Sequence, residues 1–563
     1  PAYGKPSGER RSFDKPAYGK PSGERRSFDK PAYGQPSGER RSFDKPAYGK
    51  PSGERRSVDK PAYGKPSGER RSFDKPAYGK PSGERSFGKP AFDQPSGERR
   101  YGKPAPAGST QEPVETTGLS ISARRVALDV LGDVHQNGAF ASLSLDGKLR
   151  EAHLRPEDRR LVTSIVYGTL ENEIRIDHAL DKLMDHPTQE PVQRDILRMS
   201  AYQILFLDRV PDSAACNEGV NLVKAMGMEP AAGFINAVLR NLVRGKETLD
   251  EPKREDDLRE YLHIMGSMPT WIVDKLIAAY GEEEAEKLIM QRSTEHPIVI
   301  RPNLTSMSDD EFAKLLEKKE WRYERGLAPH AFLTYGVQEM TYDKDYQDGH
   351  FTIQGQSSML AAQAVEAKAG MKILDACAAP GGKSAYMCEC MQMTGRVFAW
   401  ELHEKRSLLL EGVKRRLKLD NLRISVRDAT EYKQDMDRTL DAVLLDAPCS
   451  GLGVMLQKPD IKLRMKEEDV TAIVQIQKNL LETLSSYVKP GGLFVYSTCS
   501  ILPEENTEQI EAFLQAHPEY TVDPLPESFP EAIRAKQTPL GVQLLSSQDG
   551  VEGFYIVRMR RKR

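Results

Sequence analysis

Apolar residues recur at three- and four-residue intervals from about residue 120 to residue 250, the spacing of amphipathic helices. The strongest run contains Ile196, Leu197, Ile204 and Leu205, with polar positions between them. Similar runs precede and follow it, separated by short polar breaks. The pattern predicts an all-α domain over residues 118–250, although a domain used only for packing would show the same pattern.

The pattern changes after residue 250. The spacing of apolar residues over 251–350 predicts linker helices and a small α/β subdomain, with a strand over 297–302 and a helix over 307–318. Short apolar runs then alternate with helical patterns over 351–563, which predicts an α/β domain whose sheet is mostly parallel and covered by helices on both faces. The predicted strands of that sheet are 372–375, 396–400, 423–426, 442–445 and 493–496.

The first part of the chain has no such pattern. Residues 1 to about 103 repeat the 15-residue unit Pro-Ala-Tyr-Gly-Lys-Pro-Ser-Gly-Glu-Arg-Arg-Ser-Phe-Asp-Lys. Each unit has too few large apolar groups to offset the entropy of ordering, so residues 1–117 are predicted to be a disordered segment and linker. The Arg pairs and spaced aromatic rings could hold RNA loosely, or the segment could be a solvated tail.

Composition narrows the choice of compartment. The 563 residues carry a formal net charge of -2, but the repeats are basic, so the remaining chain is acidic, and net charge neither supports nor excludes RNA binding. No apolar run reaches the roughly 20 residues needed to span a bilayer. The cysteines are irregularly spaced, which favours a reducing, cytoplasmic location over a disulfide framework, and no spacing typical of a metal site is present.

The stretch Lys372-Ile-Leu-Asp-Ala-Cys-Ala-Ala-Pro-Gly-Gly-Lys-Ser384 predicts a strand, a tight turn and a helix start. Small residues there let the backbone approach a ligand, and the free N–H groups of the helix start can bind its polar end. The spacing matches neither a dinucleotide-binding turn nor a P-loop. Glu401 and Asp428 end the next two predicted strands, where carboxylates could bind a ribose and an adenine amino group. Each alone could be an ordinary strand-end acid, but together they favour an adenosyl pocket.

Two further stretches follow later strands of the predicted sheet, namely Leu445-Asp-Ala-Pro-Cys-Ser-Gly-Leu-Gly453 and Tyr496-Ser-Thr-Cys-Ser500. Both cysteines are therefore expected at the same edge of the sheet. A thiolate is nucleophilic near neutral pH and its addition is reversible, so a cysteine at this edge could form a transient covalent bond to a substrate. Asp446 ends the strand before the first cysteine, where a carboxyl group could hydrogen-bond the substrate and offset the charge that develops during the addition.

Together these stretches resemble the RsmB/Sun family of RNA cytosine-C5 methyltransferases. In the helical part, Arg198-Met-Ser-Ala-Tyr-Gln-Ile-Leu-Phe-Leu-Asp-Arg-Val-Pro211 and Gly233-Phe-Ile-Asn-Ala-Val-Leu-Arg240 resemble the NusB-like RNA-binding domain of that family. The resemblance implies a Rossmann-like core that binds S-adenosylmethionine. The family usually has an acidic residue at the position of Gly355. By resemblance, the S-adenosylmethionine contacts are Cys377, Ala378, Ala379, Pro380, Gly381, Gly382, Lys383, Glu401, Asp428 and Asp446.

The resemblance also assigns roles to the two cysteines. It implies that Cys499 attacks C6 of a cytosine and so makes C5 nucleophilic, and that Cys449 assists elimination and product release. It also implies that Lys383 lies near the base and that Asp446 hydrogen-bonds N3. It further implies methylation of a 16S rRNA cytosine of the cytosine-967 type, in RNA free of ribosomal proteins at the target loop. No obligate protein partner is inferred. The alternatives are the same chemistry on tRNA or 23S rRNA, a non-catalytic RNA-binding protein, and a DNA methyltransferase with Cys449 as its nucleophile.

Overall fold

The computed structural model describes residues 122–188, 190–292, 297–337 and 339–563. The predicted disordered repeats and linker of residues 1–117 lie outside the described residues. In the described part of the chain, every helix is too short or too polar to cross a membrane.

Residues 123–290 are helical, as the apolar spacing predicts. The first helix shows how the local sequence sets its limits: the Ser122 hydroxyl accepts a hydrogen bond from the Arg125 N–H at 3.2 Å, and Gly138 ends the helix with φ +63°. Its apolar face, which includes Leu131, is buried. The helices are α1 (Ala123–Asn137), α2 (Ala141–Glu151), α3 (Pro156–Glu171), α4 (Glu173–Asp181), α5 (Pro191–Phe206), α6 (Asp212–Ala225), α7 (Ala232–Gly245), α8 (Leu258–Met265), α9 (Thr270–Tyr280) and α10 (Glu282–Met290). We call α1 to α7 the helical region.

A small antiparallel sheet follows. Its elements are β1 (Ile298–Pro302), α11 (Asp309–Lys318), β2 (Arg322–Arg325), β3 (Phe332–Tyr335), α12 (Lys344–Gln347) and β4 (Phe351–Ile353). The strand order is β2-β3-β1-β4, and Phe312, Phe332 and Phe351 pack together on one face. The sequence predicted β1 and α11, whereas β2, β3 and β4 are too short to produce a clear alternation.

The catalytic-type motifs all lie in a second, larger α/β unit, which we call the core sheet. Its elements are α13 (Gln356–Gln363), β5 (Lys372–Asp375), α14 (Gly382–Cys390), β6 (Arg396–Glu401), α15 (Glu404–Leu417), β7 (Leu422–Val426), β8 (Leu440–Asp446), α16 (Asp460–Arg464), α17 (Glu467–Ser485), β9 (Val488–Thr498), α18 (Thr507–Ala516), β10 (Tyr520–Val522), α19 (Glu531–Arg534), β11 (Val542–Leu544), α20 (Ser546–Asp549) and β12 (Phe554–Arg561).

The core sheet confirms the predicted α/β, Rossmann-like class, with one addition. Strands β9, β8, β5, β6 and β7 are parallel neighbours in that order. Strand β12 pairs antiparallel with β9, and β10 and β11 pair with β12. The sequence did not predict this antiparallel edge. Because β5, β6, β8 and β9 are parallel, their carboxyl ends meet at one edge, and the predicted site residues lie there.

Candidate active site

The structure brings the two cysteines of the Pro-Cys and Thr-Cys stretches together. Cys449 lies on the loop after β8 and Cys499 on the loop after β9, and their Sγ atoms are 3.2 Å apart. Both are free thiols and both are half-buried. The structure therefore places both cysteines at one edge of the sheet, as the sequence predicts.

Glycine allows the two cysteine loops to approach this closely. The Gly453 N–H donates to the Cys499 carbonyl at 2.9 Å, and the Gly553 N–H donates to the Gly453 carbonyl at 2.9 Å. A Cβ on Gly453 would lie 2.1 Å from the Gly553 carbonyl oxygen, which no side chain could tolerate. Because Gly453 has no side chain, the Cys449 loop can hydrogen-bond both the Cys499 loop and the residue just before β12.

Lys383 and Asp446 form an ion pair at the same edge. Lys383 lies in the first turn of α14, and its Nζ is 2.7 Å from Asp446 Oδ2 at the end of β8. The Ser497 hydroxyl donates to Asp446 Oδ1 at 2.9 Å. Burial alone would lower the pKa of Lys383, but the contact with Asp446 raises it, so the ammonium form is retained.

The environment makes the two thiols unequal. The hydrogen bond between them, burial and the charge of Glu505 raise the pKa of Cys449. The hydrogen bond from Cys449 lowers the pKa of Cys499 against the effect of burial, with help from the ammonium groups of Lys383 and Lys458. The pair therefore favours a thiolate at Cys499 and a thiol at Cys449.

The Gly-rich turn between β5 and α14 has the geometry of a ligand cradle. The Ala378 N–H donates to the Trp400 carbonyl at 2.8 Å, which fixes the turn against β6. Gly381 has φ +110° and precedes α14, and a Cβ there would lie 3.0 Å from Leu410 Cδ2. The positive φ requires glycine, and the turn leaves the first N–H groups of α14 free to bind an anionic group.

The predicted acids end the neighbouring strands. Glu401 is buried, and its Oε1 accepts a hydrogen bond from the His403 N–H at 3.0 Å. Asp428 Oδ1 accepts from the N–H and hydroxyl of Thr430 at 2.8 and 2.6 Å, and these bonds lower the pKa of Asp428. Two carboxylates on successive strand ends beside a helix start fit the ribose, adenine and amino-acid ends of an adenosyl ligand.

The sequence analysis did not single out Asp375 or Arg406 as site residues. Asp375 is buried at the end of β5, accepts from the Ser384 hydroxyl at 2.6 Å, and has its pKa raised to about 7 by burial. Its Oδ1 is buried with no hydrogen-bond partner among the described residues, so it is available to accept a hydrogen bond from a bound ligand. Arg406 donates to the Ala379 carbonyl at 3.1 Å and lies 3.4 Å from Glu401. The strand-end position of Asp375 was a usable signal, whereas nothing local marked Arg406.

The departure at Gly355 has a structural counterpart. Glu552, just before β12, reaches over this glycine, and a Cβ there would lie 2.4 Å from Glu552 Oε1. Glu552 Oε2 accepts from the N–H and hydroxyl of Ser357 at 3.1 and 3.0 Å, in the first turn of α13. The Glu552 carboxylate, just before β12, therefore occupies the space beside the position where the family usually has an acid.

The other cysteine and histidine candidates are separate from the Cys449–Cys499 pair. Burial raises the pKa of Cys377, Cys388 and Cys390, so none favours a thiolate. His403 is exposed, as expected of a surface residue. The described residues contain no cluster of three potential metal ligands.

Comparison with known proteins identifies three matching family models along the chain. The model described as 16S rRNA methyltransferase RsmB/F matches residues 362–560. The NusB family model matches residues 121–244, and a ferredoxin-like domain model of RsmF/B-like methyltransferases matches residues 268–335.

Individual relatives match most of the chain. A Bacillus subtilis protein named "Probable ribosomal RNA small subunit methyltransferase B" is 36% identical over 78% of this chain and 99% of its own length. The ribosomal RNA small subunit methyltransferase B of Vibrio vulnificus is 32% identical over 77% of this chain and 98% of its own length. The crystal structure of PH0851 is 23% identical, covers 78% of this chain and 98% of its own, and superposes with a TM-score of 0.68, which shows a shared fold.

Proposed function

This chain belongs to the family of 16S rRNA methyltransferases RsmB/F, and from this we propose that it methylates C5 of a cytosine in 16S rRNA. S-adenosylmethionine is the methyl donor of this rRNA methyltransferase. The observation that carries the finer assignment is the 3.2 Å contact between the Cys449 and Cys499 thiols. Two thiols at one site suit a reaction that adds a sulfur to a pyrimidine ring and later removes it.

Residues of the cradle would hold the donor. The N–H groups at the start of α14 and the turn 377–383 would bind its amino-acid end, Glu401 its ribose hydroxyls and Asp428 its adenine amino group. Asp446 lies between this cradle and the thiols, since it ends β8 and is bonded to Lys383 of α14. This arrangement would place the donor and the target base on either side of the ion pair.

Cys499 would begin the reaction as the nucleophile. Its thiolate would form a bond to C6, and the electron pair of the C5–C6 double bond would move toward the ring carbonyl and N3. The ion pair of Lys383 Nζ and Asp446 Oδ2, which are 2.7 Å apart, would supply a proton to hydrogen-bond N3 and offset this charge. C5 would then be electron-rich and would form a bond to the methyl group, while the bond from that methyl group to the sulfonium sulfur of the donor would break and leave S-adenosylhomocysteine.

Cys449 would complete the reaction as the base. Once Cys499 Sγ is bonded to carbon, it no longer carries the negative charge that raises the pKa of Cys449. Cys449 can then lose its proton to solvent and accept the C5 proton while the Cys499–C6 bond breaks. The products would be 5-methylcytosine, S-adenosylhomocysteine and one proton released to solvent, and the pair would return to its starting state of a Cys499 thiolate and a Cys449 thiol.

Covalent trapping on RNA that contains 5-fluorocytosine tests the assignment of the nucleophile, because fluorine at C5 cannot leave as a proton. The wild type and Cys449→Ala should form an adduct that survives denaturing electrophoresis, and Cys499→Ala should not. Methyl transfer to ordinary RNA should fall more than about a thousandfold in Cys499→Ala, the scale expected on losing a covalent nucleophile. Cys216→Ala, at a buried thiol of the helical region, is the matched control and should keep full activity.

The substrate is tested separately with purified RNA pools. Wild-type enzyme should methylate protein-free 16S rRNA, and 23S rRNA, tRNA and assembled small subunits should be poor substrates, because a flipped loop base must reach the thiols. Methylation of tRNA or 23S rRNA at an equal rate would favour the corresponding alternative. An adduct that persists in Cys499→Ala but is lost in Cys449→Ala would favour the DNA-type assignment of the nucleophile.

A further inference from the structure

A buried carboxylate lies directly behind the two cysteine loops. Glu505 is fully buried and ends the single turn Pro503–Glu505 that follows the Cys499 loop. Its Oε1 accepts from the hydroxyls of Ser450 and Ser500, both at 2.5 Å. Its Oε2 accepts from the Ser450 N–H at 2.8 Å and from Gln477 Nε2 at 3.1 Å. Donors thus engage both oxygens of a carboxylate that solvent does not reach.

These contacts bear on the thiols because of their position in the sequence. Ser450 follows Cys449 directly, and Ser500 follows Cys499 directly. The two serine hydroxyls also lie 3.0 Å from each other. One side chain, Glu505, therefore connects the residue after each thiol, and its bond from the Ser450 N–H fixes the peptide unit that joins Cys449 to Ser450.

The carboxylate is anchored to the surrounding structure. Gln477 of α17 donates to Glu505 and also to the Pro448 carbonyl at 2.9 Å, just before Cys449. The Tyr496 hydroxyl of β9 donates to the Glu505 carbonyl at 2.6 Å. Because α17 and β9 hold Glu505 in place, its hydrogen bonds can fix the positions of both cysteine loops relative to the core sheet.

We propose that Glu505 is a positioning residue that holds the two thiols in contact and keeps the shared proton on Cys449. The inference rests on the proposed function, in which Cys499 is the nucleophile. Glu505 does not contact the substrate or the donor in this proposal, since its carboxylate is occupied by the serine and glutamine donors. Its effect on the reaction passes through Ser450 and Ser500.

The charges around the pair have the asymmetry that this role requires. The negative charge of Glu505 acts on Cys449, whereas the ammonium groups of Lys383 and Lys458 act on Cys499. Asp446 opposes ionisation of both thiols, so it does not distinguish them. The ionisable groups that face the pair from the adjoining elements are Lys383, Asp446, Lys458, Tyr496 and Glu505.

Alkylation of the free enzyme tests the inference without any methyl transfer. Limiting iodoacetamide reacts with thiolates, and mass spectrometry after digestion gives the ratio of label at Cys499 to label at Cys449 across pH 6 to 9. In the wild type Cys499 should react faster. Glu505→Gln, which keeps the size of the side chain and removes its charge, should lower this ratio by about tenfold, the effect of one pKa unit.

Two further variants separate charge from geometry. Glu505→Asp keeps the charge but is too short to reach both loops, so it should retain most of the labelling preference while kcat falls and the KM for RNA stays unchanged. Glu504→Gln removes the same charge one residue away, from a side chain paired with Lys275 at 2.8 Å, and should match the wild type in every measurement.

The outcomes are distinct from those of the proposed function. An unchanged labelling ratio in a folded Glu505→Gln protein, or equal ratios in the Gln and Asp variants, would overturn the inference. If the Gln variant does not fold, the Asp variant still decides, since loss of labelling preference with the charge in place would also contradict it. Failure of the proposed function would instead appear as wild-type enzyme that forms no adduct on 5-fluorocytosine RNA.

Discussion

The small sheet and the helical region are joined to the core sheet by different polar contacts. The small sheet uses a buried ion pair, and the helical region uses hydrogen bonds between charged side chains and backbone groups. At the first junction, Arg301 of β1 meets Glu389 of α14, with Nη1 2.5 Å and Nη2 3.2 Å from the carboxylate, and both side chains are fully buried. Gln354 Oε1 accepts from Arg301 Nε at 2.8 Å, and the Leu304 N–H donates to Glu389 at 3.0 Å. Both charges are therefore paired and hydrogen-bonded.

At the junction with the helical region, a buried lysine has no acidic side chain in ion-pair contact among the described residues. Lys462 of α16 is buried, and its Nζ donates to the Glu171 carbonyl at the end of α3 at 2.8 Å. Asp460, in the same short helix, accepts from the Ala141 N–H at 3.3 Å. Burial, with the nearby charge of Arg292, lowers the pKa of Lys462 to about 7. This junction relies on a carbonyl and a backbone N–H where the first uses a complete ion pair.

The difference indicates which junction fixes the chemistry. Helix α14 carries Glu389 near its end and Lys383 in its first turn, so the Arg301 contact holds the helix that positions the ion pair of the site. Helix α16 follows Cys449 in the sequence and is separated from it by a one-turn segment. We expect the first junction to dominate stability, and the second to respond to pH.

The largest effect should follow from breaking the first junction. Arg301→Ala leaves Glu389 buried without its partner, and we expect the free energy of unfolding to fall by about 3–5 kcal/mol. Urea denaturation followed by circular dichroism measures the change. Arg254→Ala is the matched control, because Arg254 makes an exposed bidentate pair with Glu286 whose charges solvent screens, so the loss of stability should be much smaller. Equal losses in the two variants would contradict the ranking.

The sequence predicted the parts of this arrangement that local patterns specify. Strands β5 to β9 follow from their apolar runs, and parallel pairing brings Cys449 and Cys499 to one edge without further information. Asp446 also follows, since it ends a predicted strand, whereas Lys383 was singled out only through the family resemblance. The resemblance supplied the roles of these residues, which the residues alone left open between the two cysteines.

The remaining features depend on contacts between distant segments. Glu505 has the same local sequence context as its neighbour Glu504, yet one is fully buried against Ser450 and the other pairs with Lys275. The antiparallel strand β12 depends on its pairing with β9, which is more than fifty residues earlier in the chain. A pattern read along the chain contains no signal for such contacts, and Arg301 was missed for the same reason.

An intermediate effect should appear at the second junction as a dependence on pH. The pKa of Lys462 is about 7 in the folded protein and near 10.5 when exposed, so the unfolded chain binds more protons between these values. Stability from this group therefore rises with pH above 7, by up to about 1.4 kcal/mol per pH unit. Lys462→Met removes the titration, so its melting temperature relative to wild type should be most favourable at pH 6 and decline toward pH 9. A difference independent of pH would contradict the assignment.

The smallest effect should come from the rim of the same junction. Arg464 of α16 lies over the Phe140 ring, with Cζ 4.1 Å from the ring centroid, and Phe140 is half exposed just before α2. A cation–π contact at such a site contributes about 0.5–1 kcal/mol. Arg464→Gln and Phe140→Leu should each lower the melting temperature slightly, and the double variant should lose less than the sum of the single changes, because each change removes the same contact. Strict additivity would mean that the contact between Arg464 and Phe140 contributes nothing to stability.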